Sequence, residues 1–197
     1  MHRFIPANPL GSIMASMIAA LGLTGAAMAG AAQDRLDWAA LSLPAISGGQ
    51  VEAQSLKGKV VLVVNTASQC GFTPQYQGLE ALWRDYRGRG LVVLGVPSND
   101  FGSQEPGSNA QVASFCEINY GVDFPLLEKQ AVTGANAHPF YRWAAERTGP
   151  LGVPRWNFHK ILVGRDGRLV DWFASTTAPD AARLRAAIDK ALAEPSS

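Results

Sequence analysis

Two uninterrupted apolar runs dominate the hydrophobic pattern of the chain. "KVVLVVNTAS" (59–68) and "LVVLGVPSN" (91–99) are rich in β-branched residues and show no polar alternation, which predicts strands buried on both faces. Between them Tyr76, Leu79, Leu82, Trp83 and Tyr86 recur at helical spacing, with Thr73 expected as the cap, Pro74 in the first turn and "RGRG" (87–90) as the stop. Strand, helix and strand in this order predict a right-handed parallel crossover. A polar loop (99–109) leads to a second helix, Ala110 to Tyr120, with Val112, Phe115 and Cys116 near one apolar face. "GVDFPLLEK" comes next as a short extended piece, then 137–147 as a short helix and 148–155 as a loop. In "KILVGRDGRLVDWFA" (160–174) two strands meet around Asp166-Gly167, a hairpin turn that needs positive φ. Leu184, Ile188 and Leu192 then repeat every four residues in a helix after Pro179.

A parallel crossover followed by an antiparallel hairpin and a covering helix is the pattern of an α/β thioredoxin-like sandwich, with a central mixed sheet flanked by helices. No repeat, low-complexity tract or second domain interrupts it. The first residues differ: Ile13 to Ala27 is apolar and "AMAGAA" supplies small residues in a cleavage-site pattern. Residues 1–29 are therefore expected to be a cleaved signal peptide, and 30–197 a single domain that is exported, to the periplasm, without stable membrane association afterwards. The alternatives are a disordered N-terminus or a retained anchor, for which the stretch is marginal as a span.

Composition narrows the chemistry. Of 197 residues, 47% are hydrophobic, enough for an ordinary core. With 17 basic and 16 acidic side chains there is no electrostatic reason to expect nucleic acid as a partner. The cysteines and histidines are too scattered for metal-ligand spacing, and no cofactor is expected. An exported chain with two cysteines, Cys70 and Cys116, is compatible with a structural disulfide.

Cys70 lies where a buried strand hands over to a helix N-terminus. Unpaired N–H groups and the positive end of the helix dipole there favour a thiolate, and the carboxyl ends of parallel strands are where such sheets hold their chemistry. A small buried hydrophobe is the competing account of the same residue.

Three separated segments, "NTASQCGFTPQY" (65–76), "NDFGSQEPGSN" (99–109) and "WNFHK" (156–160), resemble the signature segments of the glutathione peroxidase family, in the same order, and the resemblance runs from about Leu56 to Phe173. It implies that Cys70 attacks a peroxide while Gln104, Trp156 and Asn157 supply neutral N–H donors around the sulfur. Such donors stabilise a departing oxyanion without a titrating base.

"FCEINYGVDFP" (115–125) is similar to the segment that carries a second, resolving cysteine in the cysteine-using, thioredoxin-dependent branch, which makes Cys116 its counterpart. The resemblance thus implies a thiol peroxidase acting on hydrogen peroxide or organic hydroperoxides, re-reduced by a thioredoxin-like protein or by glutathione. The chain has no long insertion before "WNF", which implies a monomer.

Two departures from the family stand out, Ser98 and Asp100 in "VPSNDF", and an inward-pointing Asp100 would oppose a thiolate at Cys70. His159 is read as a flank of Asn157 and not as a base. A peroxide sensor that relays oxidation to a partner, or a binding domain with a permanent Cys70–Cys116 bridge, are the alternatives. If Cys116 resolves, its helix has to shift, because a disulfide needs Cα atoms within about 7 Å.

Overall fold

The computed structural model describes residues 1–2 and 34–195. The expected signal segment, apart from residues 1–2, thus lies outside the described residues.

Strands β1 (Val60–Thr66), β2 (Leu91–Pro97), β3 (Lys160–Val163) and β4 (Leu169–Phe173) form one sheet in the order β2-β1-β3-β4. β1 pairs in parallel with β2, from Val60 opposite Leu91 to Thr66 opposite Pro97, and antiparallel with β3, where Val64 faces Lys160. The β3–β4 hairpin has a register shift at Leu162/Val163. Every residue of β1 and β2 is buried, as their unbroken apolar runs predict.

The two faces of the sheet are covered separately. On one, Leu62, Val64, Val93 and Phe173 pack with Tyr76, Leu79 and Leu82 of α2 (Gln75–Tyr86), Val112 and Cys116 of α3 (Asn109–Tyr120), and Leu184 and Ile188 of α5 (Ala182–Ala193). On the other, Val61, Val63, Leu94 and Ile161 meet Leu56 of α1 (Ala53–Leu56), Phe140 and Tyr141 of α4 (Pro139–Thr148), and Trp38 and Leu43 of the leading segment.

Two local expectations are corrected and a third is refined. α2 starts at Gln75, with Pro74 at the cap position and no side-chain cap, so Thr73 is not its cap. α3 starts at Asn109 after Ser108, whose hydroxyl and Gln111 form a reciprocal capping box. In α5 Ala191 is buried with Leu184 and Ile188 while Leu192 is only partly covered, because 3.6 residues per turn carries a strict four-residue repeat off the face. The hairpin needs one positive φ, at Gly167 (79°), and a Cβ there would meet the Leu36 carbonyl at 2.7 Å. The three signature segments meet at the carboxyl end of β1: the first follows β1, the second follows β2, and the third leads into antiparallel β3.

Candidate active site

Cys70 sits on the loop between β1 and α2 and is 8% exposed. Thr73, freed from capping, braces it: the Thr73 hydroxyl accepts from the Cys70 backbone N–H at 3.0 Å and donates to the Ala67 carbonyl at 2.9 Å. The Thr73 N–H returns to the Cys70 carbonyl at 3.0 Å. This closed turn aims the Phe72 N–H at Cys70 Sγ, 3.3 Å away, so a main-chain donor is already directed at the sulfur. A donor fixed by backbone geometry stabilises negative charge with no reorganisation.

The β1 and β2 loops are joined by the Gln69 N–H, which donates to the Gln104 carbonyl at 3.0 Å. Asn157, fully buried, donates from Nδ2 to Gln104 Oε1 at 2.9 Å. With its oxygen engaged, Gln104 is left with an NH₂ group, a pure donor, for the site. Asn157 therefore acts first on Gln104, a division of labour the motif alone does not show. Trp156 is 40% exposed, tilts against Phe101 with ring centroids 6.1 Å apart, and its carbonyl accepts from Asn65 Nδ2 at 3.1 Å. A Cβ on Gly102 would touch both Gln104 and Trp156 at about 3.5 Å, so both side chains converge on that loop.

Cys116 is an unbridged thiol, as is Cys70, and both belong to the same apolar cluster. Burial pushes the Cys116 thiol up to about 11. The buried Tyr76 hydroxyl approaches Cys116 and Thr66 without a hydrogen bond of good geometry to either, and burial raises it well above its ordinary value. Helix α3 is lightly held: of its 12 residues only Val112 and Cys116 are buried, and Ile118 is 80% exposed. Cavities of about 420 Å³ and 370 Å³ border it, the first along Gln111, Val112 and Phe115 and the second along Ala113, Cys116 and Glu117.

Residues 39–145 match the family described as glutathione peroxidase. The chain belongs to the glutathione peroxidase family. It is 51% identical over 135 residues to the glutathione peroxidase-like peroxiredoxin gpx1 of Schizosaccharomyces pombe, covering 68% of this chain and 85% of that protein. It is 46% identical over 159 residues to the hydroperoxy fatty acid reductase gpx1 of Synechocystis sp., covering 77% and 93%. Among solved structures, Trgpx in apo form superposes with TM-score 0.64 at 38% identity over 81% of this chain and 97% of that one. A thioredoxin-family thiol:disulfide interchange protein from Chlorobium tepidum, 16% identical with TM-score 0.58 over 77% and 92%, shares the fold. This glutathione peroxidase family chain is accordingly a peroxidase oxidoreductase on a thioredoxin-like scaffold.

Within that family site, Asp100 turns away from the sulfur. Its Oδ2 accepts from the Val132 N–H at 2.7 Å, the Thr133 N–H at 3.0 Å and the Thr133 hydroxyl at 3.1 Å. The condition under which Asp100 would oppose the thiolate is thus not met: two main-chain donors hold the carboxylate at 132–133. Ser98 is buried and its hydroxyl accepts from the Asp100 N–H at 3.3 Å, closing the turn. His159 stacks on Trp172 at 5.5 Å, and burial, then the nearby Lys160 charge, lowers it to about 4, so it is neutral near pH 7.

Three polar residues of the motifs take roles that their sequence context does not assign. Thr73 braces Cys70. Glu105, fully buried, accepts from the Ser68 hydroxyl at 2.6 Å. Lys160, fully buried, donates to the Phe158 carbonyl and Gln75 Oε1, each at 2.7 Å. Phe158 holds φ at 65°, a left-handed conformation costing about 1 kcal/mol or more, and Lys160 helps to hold it. The signal available in sequence was their polarity inside motifs otherwise read for sulfur donors.

Proposed function

We propose that the chain is a two-cysteine thiol peroxidase in which Cys70 is the attacking and Cys116 the resolving residue. The Cys70 thiolate attacks the terminal oxygen of a hydroperoxide, an S–O bond forms as the O–O bond breaks, and the departing alkoxide or hydroxide takes a proton. Gln104, oriented by Asn157, and Trp156 donate to the sulfur and the developing oxyanion. Cys116 then displaces the sulfenic hydroxyl as water and leaves a disulfide, which a thioredoxin-like dithiol protein reduces. Hydrogen peroxide and organic hydroperoxides, including those of fatty acids, are the substrate class.

The observation that carries this reading is the Cys70 turn, in which Thr73 and the Phe72 N–H hold the sulfur beside a loop fastened by the Asn157–Gln104 amide pair. The relatives named peroxiredoxin and hydroperoxy fatty acid reductase support it. The light packing of α3 between two cavities supports a shift of Cys116 toward Cys70. We extend the proposal to a monomeric, exported protein working after loss of its first 29 residues.

Thiol counting tests the reading. The reduced protein given one equivalent of hydrogen peroxide should lose both thiols, Cys116→Ser should accumulate a trappable sulfenic acid, and Cys70→Ser should not respond. Survival of both wild-type thiols would refute the assignment.

A further inference from the structure

Resolution of the sulfenic acid by Cys116, the premise carried over from the proposed function, requires the Cys116 thiol to lose its proton. With that thiol raised to about 11, only about one molecule in ten thousand carries the thiolate at pH 7. The Tyr76 hydroxyl beside it eases ionisation, but burial outweighs that help, and Tyr76, itself raised by burial, stays protonated and cannot take the proton.

Glu105 is different. It is fully buried; the Ser68 hydroxyl donates to Oε1 at 2.6 Å and the Ser68 backbone N–H also approaches the carboxylate, while Oε2 has no hydrogen bond of good geometry among the described residues. A buried carboxylate oxygen left unpaired is costly and calls for a role. Glu105 also borders the cavity of about 420 Å³, which has Ser68 and Gln69 of the Cys70 loop on one side and Gln111, Val112 and Phe115 of the Cys116 helix on the other. The carboxylate thus borders a cavity lined by both cysteine-bearing elements, one turn of helix from Cys116, which lines the neighbouring cavity.

Its charge reaches both Cys116 and Tyr76, opposing ionisation of each. The charged and titratable groups facing it are Tyr76 from α2, Cys116 from α3 and Lys129 from the segment after them, whose Nζ donates to the Glu105 carbonyl at 3.4 Å. Burial raises Glu105 above the ordinary carboxyl value, which makes it a better base than an exposed carboxylate. Moving a proton from Cys116 to Glu105 leaves one negative charge in the cluster before and after, so the charge that opposes a thiolate is removed as the thiolate forms.

We propose that Glu105 is the proton acceptor for Cys116 in the disulfide-forming step. The Cys116 sulfur gives up its proton to Glu105 and attacks Cys70 Sγ. An S–S bond forms, the Cys70 S–O bond breaks, and the hydroxide that leaves takes the proton from Glu105 and departs as water. Cys116 is oxidised, the sulfenic sulfur is reduced, and no further oxidant or reductant is consumed.

The test is a single turnover with one equivalent of hydrogen peroxide, monitoring sulfenic acid by trapping and disulfide by mass. Glu105→Gln preserves shape and an acceptor for Ser68. The expected result is sulfenic acid formation within about twofold of wild type and disulfide formation slowed about 100-fold, rising tenfold per pH unit as solvent hydroxide takes over. Disulfide formation at the wild-type rate, or equal slowing of both steps, would overturn the proposal. Should the variant fail to fold, the wild-type profile decides. A disulfide step that levels off above the Glu105 titration supports the carboxylate as base, and one that climbs tenfold per pH unit toward pH 10 refutes it. Absence of any disulfide in folded wild type would instead sink the resolving role of Cys116, and this inference with it.

Discussion

Lys160 is a fully buried lysine whose acceptors, the Phe158 carbonyl and Gln75 Oε1, are neutral, and burial lowers it from 10.5 to about 7. At about 1.4 kcal/mol per pH unit, that displacement costs the folded state about 5 kcal/mol well below pH 7, relative to an unfolded chain in which the amine ionises freely. Between pH 7 and 10.5 the unfolded chain binds more protons at this residue than the folded one, so stability rises with pH across that window. Integrated from pH 7 to pH 9, the gain is about 2 kcal/mol.

Lys160→Met removes the titration and also two hydrogen bonds, stranding buried acceptors at about 1–3 kcal/mol each, a loss that does not vary with pH. The informative quantity is therefore the wild-type minus variant difference measured at several pH values. Urea unfolding at pH 7, 8 and 9, with reductant present so that both cysteines stay thiols, should show wild type gaining about 2 kcal/mol on Lys160→Met. Comparing the two proteins cancels the other groups, including Cys116, whose raised value works in the opposite sense above pH 9. A difference that stays flat from pH 7 to 9 would refute a lysine held partly neutral by burial.

Removing the Gln104 carboxamide with Gln104→Ala should slow the reaction of Cys70 with peroxide by about 100-fold in stopped-flow kinetics. Asn157→Ala should lower the same rate by losing the group that orients Gln104. Asp100→Ala should cost about 2 kcal/mol in chemical denaturation, because three hydrogen bonds to 132–133 end on one oxygen, while the Cys70 reaction rate stays unchanged. A faster Cys70 would mean that the carboxylate acts on the sulfur after all. Gly95→Ala should destabilise by about 1–3 kcal/mol in thermal or urea unfolding, since a Cβ there would come within 2.4 Å of Leu126 Cδ2 and 3.1 Å of Phe124 Cε2.

Local patterning determined much of this protein. The runs at 59–68 and 91–99 could satisfy their burial only as central strands, and the Asp166-Gly167 turn could only reverse the chain, so strand types and the layered sheet were readable from period and turn chemistry. The three motifs likewise marked the elements of the site, because each is a contiguous stretch at the end of a strand. Tertiary structure decided what each polar side chain does there. Thr73 has the chemistry of a helix cap, yet the Cys70 N–H and the Ala67 carbonyl reach it first. Asp100 stands in a motif but binds main-chain donors more than thirty residues away. The worth of a polar group depends on which donors, acceptors and charges surround it once water is excluded, and only folding brings Ser68 to Glu105, Gln75 to Lys160 and Asn157 to Gln104.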